Sequence, residues 1–387
     1  MVTSSVALSG KLPGIEQSIF SVMTALANEH QAINLAQGFP DFTCSPELVS
    51  LVDKYMKAGH NQYAPMPGIL SLREKIAVKT EKLYGMKYDP QTEITITAGA
   101  TQALYIAIST VVKEKDEVII LEPAYDSYLP AILLNKGAPK YVRLESPDFE
   151  IDWENVKKLV SSKTRLIIIN SPHNPTGRVF TDADMRQLQK LVADKDIVVI
   201  SDEVYEHIVF DGQQHNSLCK YPDLARQSII VSSFGKTYHT TGWKTGYVMA
   251  PKEISAEFRK IYSYAMFSTI TPFQFAYSDI LDQPELYLSL SEFYQKKRDL
   301  FRSCIENSPF KLLACEGTYF QCVDYSDYSD ETDLALAERI TKEYGVASIP
   351  TSAFFHDKFD QKVIRFCFAK NDETLKRAGD KLCKISK

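Results

Sequence analysis

The chain has no CxxC pair, and its seven cysteines, at 44, 219, 304, 315, 322, 367 and 383, are odd in number and widely spaced. That spacing speaks against a disulfide framework or a cysteine-built zinc module, and for scattered inert thiols in a reducing compartment. It has no long block of one charge sign, and its formal net charge is -5, so the basic footprint of a nucleic-acid binder is missing. No apolar run reaches membrane-spanning length. The opening "MVTSSVALSGKLPGIEQSIF" lacks an apolar core long enough for a secretory signal. It also lacks arginine, which disfavours a mitochondrial transit peptide. The expectation is a soluble, cytoplasmic protein. No GxGxxG follows the first apolar run, which argues against a nicotinamide-binding Rossmann enzyme.

What is present is a hydrophobic fraction of 44% over 387 residues, enough for a large core and two domains. Six apolar, β-branched runs read as buried strands: "EITITAG", "DEVIILEP", "TRLIIINSP", "DIVVISDE", "SIIVSSFGK" and "GYVMAP". Helical patterns lie between most of them, such as "TQALYIAISTVVKE" and "DADMRQLQKLVADK". Strands alternating with helices predict an α/β fold with a mostly parallel central sheet covered on both faces. After Pro272 the texture changes. Residues from about 280 to 308 read as one long helix, and the short strand-like runs "TYFQCVDY" and "KVIRFCFAK" follow. A smaller α+β domain is expected there, giving residues 41–280 as the large domain, 281–387 as the small one, and 1–40 as a segment joining the small one.

Ligands of such sheets gather beyond the carboxyl ends of the strands. The first run leads into Gly99-Ala100-Thr101 and a helix, where backbone N–H groups can meet an anion. Tyr125 follows the second run and can stack on a flat ring, or close the core. The third run ends in "NSPHNPTG", a stiff turn around Asn174 that aims a side-chain amide and makes Asn174-Pro175 a candidate cis bond. Asp202 closes the fourth run, with Tyr205 three residues on. A carboxylate there needs a cation or donors. Glu203, Glu206 and His207 make a metal conceivable, but their spacing matches no standard zinc pattern, and no metal is expected. The fifth run stops at Lys236, with Ser232, Ser233 and Lys244 near enough to serve an anion. A lysine in a crowded, partly desolvated site loses its proton readily, as a Schiff-base lysine must. Pyridoxal 5′-phosphate is the one ligand that uses the whole set: phosphate, flat ring, ring nitrogen, phenolate oxygen and aldehyde.

The sequence resembles the fold-type I, class I/II pyridoxal-phosphate-dependent aminotransferases, and within them the methionine/aromatic and kynurenine aminotransferase branch. The resemblance spans nearly the whole chain, through "INLAQGFPDF", "NQYAPMPGILSLREKIA", "TAGATQALYIAI", "SPHNPTG", "SDEVYEHI", "SSFGKTYHTTGWKTGY", "CEGTYF" and "IRFCFAK". It implies that Lys236 binds the cofactor aldehyde, that Asp202 pairs with the ring nitrogen, and that Asn174 and Tyr205 bond the phenolate oxygen. It further implies Tyr125 stacked on the ring, and Ala100, Thr101, Ser233 and Lys244 around the phosphate. Tyr63 would reach that phosphate from the other subunit of a homodimer. Arg365 would clamp the substrate carboxylate, helped by Asn174 and the backbone at Gly38. Lys244 and Gly235 stand where the wider family more often has arginine and serine, and both choices suit the kynurenine/methionine branch.

The resemblance implies ping-pong transfer from an amino acid to a 2-oxo acid. Ile19, Phe20, Phe39 and Phe267, the last from the partner subunit, are the expected side-chain neighbours. With no obvious second arginine for a distal carboxylate, methionine or aromatic donors are expected over aspartate. A carbon–sulfur β-lyase or a kynurenine/glutamine transaminase on the same fold, and a non-catalytic pyridoxal-phosphate sensor, remain as alternatives. "KLPGIEQSIF" is a candidate lid.

Overall fold

The structure, a computed structural model, describes residues 9–385. The six apolar runs all become strands of one seven-stranded sheet. They are β1 (Ile94–Thr97), β2 (Glu117–Glu122), β4 (Thr164–Asn170), β5 (Val198–Asp202), β6 (Ser228–Ser233) and β7 (Gly246–Met249), and β3 (Ala138–Arg143) joins them. The order is β1-β7-β6-β5-β4-β2-β3. Strands β2 to β6 pair in parallel, and β7 runs against both of its neighbours.

The runs are apolar without alternation because both faces of the sheet are buried. Val118, Ile120, Leu166, Ile168, Ile200 and Ile229 share one cluster with Ala103, Leu104 and Ala107 of helix α2 (Ala100–Val111). Ile119, Leu121, Ile167, Ile169, Val199 and Ile230 face the other way, toward Met185 and Leu188 of helix α3 (Asp182–Val192). Helix α3 starts on a capping box between Thr181 and Asp184. The edge strand β3, "APKYVR", is mostly half-buried and carries Lys140 and Arg143, so it shows no strand-like apolar run.

Residues 280–308 are not one helix. Helix Thr271–Ile280 ends, a single turn spans Glu285–Leu288, and α4 (Leu290–Cys304) follows. Pro284 causes the first break, since the residue before a proline is pushed out of the helical region. A second sheet then forms from β8 (Lys311–Leu312), β9 (Phe320–Asp324), β10 (Ile349–Pro350) and β11 (Val363–Cys367), all antiparallel, in the order β10-β11-β9-β8.

The segment from Ile19 to Asn34 packs on this second sheet. Helix α1 (Ile19–Glu29) buries Met23 and Ala27 against Ala337, Ala347, Ile349 and Phe354, and Ile33–Asn34 pairs in parallel with Val346–Ala347. Residues 36–38 are thereby held over the carboxyl ends of β4, β5 and β6. Among the described residues, no helix is long and apolar enough to cross a membrane.

Candidate active site

A cavity of about 260 Å³ opens where the carboxyl ends of β4, β5 and β6 meet the second sheet. One end is built for an anion. Gly99, at φ +81°, turns the chain so that Ala100 and Thr101 begin α2, and the first N–H groups of a helix have no partner within it. A side chain on Gly246 would put its Cβ 2.7 Å from the Ser232 carbonyl and 3.1 Å from the Ala100 nitrogen, so glycine is what lets β7 lie against the helix start. Ser233 and Lys244 line the same cavity. Helix N–H groups, two hydroxyls and an ammonium make a donor set that fits a phosphate.

Asp202, at the end of β5, is 4% exposed. The Tyr128 hydroxyl donates to its Oδ2 at 2.7 Å, and the Val204 N–H approaches Oδ1 at 3.4 Å. Asn170 Nδ2 donates to the Asp202 carbonyl at 2.8 Å, tying the ends of β4 and β5 together. Burial pushes the carboxyl up to about 6, against the pull of Tyr128 and the Val204 amide. Among the described residues it makes no ion pair, and the charge of Lys236 across the cavity offsets its burial only in part. The native group therefore holds its proton between the usual carboxylate range and about pH 6, where the unfolded group has lost it. Native stability falls as pH rises through that window, and the deficit persists above it. Asp202→Asn is expected to stabilise the cofactor-free protein at pH 8 by on the order of 2 kcal/mol, with a smaller gain at pH 5. Urea unfolding at the two pH values checks this, and an equal effect at both would contradict the titration.

Lys236 lies in a single helical turn, Phe234–Thr237, directly after β6. Its Nζ donates to the Tyr319 hydroxyl at 2.7 Å and to the Gly38 carbonyl at 3.1 Å. Burial pulls the amine down to about 8. Cys367 opposes that shift, while the nearby charges of Arg365 and Lys244 reinforce it.

Arg365, in β11, is 0% exposed. Its guanidinium donates to Asn174 Oδ1 at 2.6 Å and to the Ala36 carbonyl at 3.0 Å, and its Nε–H has no partner. Aromatic rings of Phe320, Phe20 and Phe354 stand 3.8, 5.3 and 5.4 Å from its centre. Among the described residues no carboxylate pairs with it, and burial lowers its pKa accordingly. Because Asn174 Oδ1 is committed to Arg365, its Nδ2 is left as a free donor. The Asn174 N–H itself donates to Asn170 Oδ1 at 2.7 Å, and the Asn174–Pro175 bond is cis. Tyr205, 4% exposed, lines the cavity with its phenol pushed well up by burial.

The cavity therefore collects Phe20, Gly38, Ala100, Thr101, Tyr125, Asn174, Asp202, Tyr205, Ser233, Lys236, Lys244 and Arg365. The Tyr125 hydroxyl lies 3.2 Å from Thr101 Oγ1. Four expected residues lie outside it. Phe39 turns away beneath the Lys370 ammonium, 4.6 Å from its ring. Tyr63 and Phe267 are 82% and 50% exposed and pack edge to face on each other at 5.3 Å. Ile19 packs with Phe20 against Phe354 and Met23 and borders a neighbouring groove. Glu203 and Glu206 face away from the cavity: His215 and Ser201 hold the first, and Lys79, Ser232 and Tyr84 hold the second. Burial pulls His207 down to about 3.

Sequence reading passed over Tyr128, Asn170, Tyr319 and Phe320. Tyr128 lies three residues after Tyr125 and Asn170 four before Asn174, which were usable signals. Nothing local marks Tyr319 or Phe320 apart from other aromatics.

A family model described as aminotransferase class I and II matches residues 30–382. The methionine aminotransferase of Escherichia coli K12 is 50% identical over 373 residues, covering 96% of this chain and 97% of that one. The kynurenine–oxoglutarate transaminase of Dictyostelium discoideum is 34% identical, covering 96% of this chain and 94% of that one. The crystal structure of an Escherichia coli protein identified as having a methionine aminotransferase function superposes with a TM-score of 0.96 at 49% identity, covering 98% of this chain and 100% of that one. A model match across nine-tenths of the sequence, relatives alike from end to end and a shared fold lead to one conclusion: this chain belongs to the class I and II aminotransferases.

Proposed function

We propose that this aminotransferase uses pyridoxal 5′-phosphate and takes its amino group from methionine or another apolar or aromatic L-amino acid, passing it to a 2-oxo acid. The observation that carries the reading is Arg365, a wholly buried guanidinium with no carboxylate in ion-pair contact among the described residues, in one cavity with a lysine amine near 8. A buried cation of this kind is costly unless an anion meets it, and its fork fits an α-carboxylate.

Ala100, Thr101, Ser233 and Lys244 would hold the phosphate, Tyr125 the ring face, Asn174 Nδ2 and Tyr205 the phenolate oxygen, Asp202 the ring nitrogen, and Lys236 the aldehyde. When bound, pyridoxal phosphate supplies a sink for the electrons left at the substrate Cα and carries the amino group between the two half-reactions. Asp202 keeps a proton on its ring partner by offering a buried negative charge. Arg365 and Asn174 orient the donor through its carboxylate. Lys236 Nζ, once free, would take the α-proton and give it up again within the same half-reaction, and the second half would run that transfer in reverse. Among the described residues the cations lining the cavity are Lys236, Lys244 and Arg365, and each has a role already, which leaves none for a distal carboxylate. This lack, and the likeness to the Escherichia coli methionine aminotransferase, support an uncharged donor side chain.

The exposed Tyr63–Phe267 pair supports a homodimer in which both residues complete the partner's site. In this reading residues 41–280 form the cofactor-holding domain, and 281–387 with 1–40 form the smaller one that carries Arg365 and Gly38. The test is the near-UV and visible spectrum of the cofactor-loaded protein, with L-methionine added and no oxo acid present. Conversion of the aldehyde-form band to the amine form, reversed by a 2-oxo acid, is the expected result. A band that methionine leaves unmoved overturns the donor assignment. Release of ammonia from cystathionine without any acceptor would indicate a carbon–sulfur lyase instead.

A further inference from the structure

Tyr319 makes the shortest polar contact to the Lys236 amine, at 2.7 Å. Its side chain is 0% exposed, and it does not itself line the cavity. Lys236 Nζ donates to its hydroxyl at 2.7 Å, and that hydroxyl donates to the Gly38 carbonyl at 2.8 Å. The same carbonyl accepts from Lys236 at 3.1 Å, closing a triangle. The ring is fixed edge-on against Tyr205 at 5.2 Å and against Phe320 at 4.9 Å. Gly38 is fixed too: a Cβ there would fall 2.6 Å from the Phe320 ring.

The triangle has a directional consequence. Burial pushes the Tyr319 phenol far up, so it stays neutral and carries one proton. That proton goes to Gly38, and toward Lys236 the oxygen can only accept. A neutral lysine amine has two N–H bonds and one lone pair. With both hydrogens bound to Tyr319 and Gly38, the lone pair points elsewhere, toward the cavity that Lys236 lines.

We propose that Tyr319 is a positioning residue that aims the free Lys236 amine for proton transfer at the substrate Cα. In that transfer the Cα–H bond breaks, the proton joins the Nζ lone pair, and the bonding electrons remain on the substrate side. The inference rests on the reading of Lys236 as the proton carrier. It adds that the carrier's lone pair is oriented by a hydroxyl from the second sheet, across the Gly38 carbonyl.

The first measurement uses cofactor-free protein, in which Lys236 acylation by acetic anhydride is followed against pH by mass spectrometry. The wild-type midpoint is expected near 8. An oxygen acceptor favours the ammonium over the amine, so Tyr319→Phe lowers the midpoint by about half a unit or more. Replacing Tyr319 with 3,5-difluorotyrosine keeps the ring and both bonds, weakens the acceptor, and produces a smaller shift of the same sign; it serves should the phenylalanine variant fail to fold. In the loaded enzyme Tyr319→Phe lowers kcat about 10- to 100-fold with little change in the KM for methionine. It also raises the primary isotope effect with α-deuterated methionine. An unmoved midpoint, or a moved midpoint with an unchanged isotope effect, overturns the proposal, since the tyrosine then fills space or touches the amine without aiming it. Failure of the underlying reading looks different: Lys236→Ala would keep transaminating, while Tyr319→Phe, in protein that retains Lys236, still shifted the acylation midpoint.

Discussion

Lys236→Ala is expected to lower methionine-dependent transamination by about 10⁴-fold or more, because one amine serves as both attachment point and proton carrier. No other group in the cavity can replace it. The second amine, Lys244, stands at the anion-binding end beside Gly99, its Cε 3.4 Å from where a Cβ on that glycine would lie. Tyr205 is held neutral by burial and gives up its proton only far above neutral pH. The variant should fold, because losing a buried amine removes a desolvation cost and leaves Tyr319 bonded to Gly38. Single-turnover consumption of methionine, with circular dichroism as the folding control, measures the effect. Activity within tenfold of wild type would remove Lys236 from the mechanism. Partial rescue by a small primary amine would identify the missing function as the amine itself.

The second large effect belongs to Arg365. Arg365→Lys keeps the charge and loses the planar fork, and kcat/KM for methionine is expected to fall about 10³-fold, the scale of a buried charge-assisted pair. Lysine has no second arm to reach both Asn174 Oδ1 and the Ala36 carbonyl while meeting a carboxylate. The diagnostic is a donor without the carboxylate, 3-(methylthio)propylamine. Wild type should prefer methionine over this amine by orders of magnitude, and the preference should collapse in Arg365→Lys. If both donors lose equally, Arg365 supports the pocket's shape and does not recognise the carboxylate.

Much of this site was legible because its signals are local. A strand buried on both faces must be apolar at every position, so the acid closing β5 and the lysine after β6 stand out against Ile and Val neighbours. Arg365 stands out in β11 for the same reason. Edge strand β3 left no such trace, since half-buried positions accept lysine and arginine. The supposed long helix hid a break that Pro284 had marked. Aromatics were the weakest guide. Phe20 faces Arg365 and Phe39 turns to Lys370, and no pattern in either segment distinguishes the two.

By itself the sequence determined six of the sheet's seven strands, the residues that end them and the chemistry those residues can carry, because burial along a single strand dictates composition position by position. Only the tertiary structure decided how these groups are aimed. Tyr319 and Gly38 are 281 residues apart, Arg365 and Asn174 191, yet each pair shares a hydrogen bond. Such contacts arise where the second sheet and the N-terminal segment close over the first. They depend on how whole layers pack, which no stretch of one strand or helix encodes.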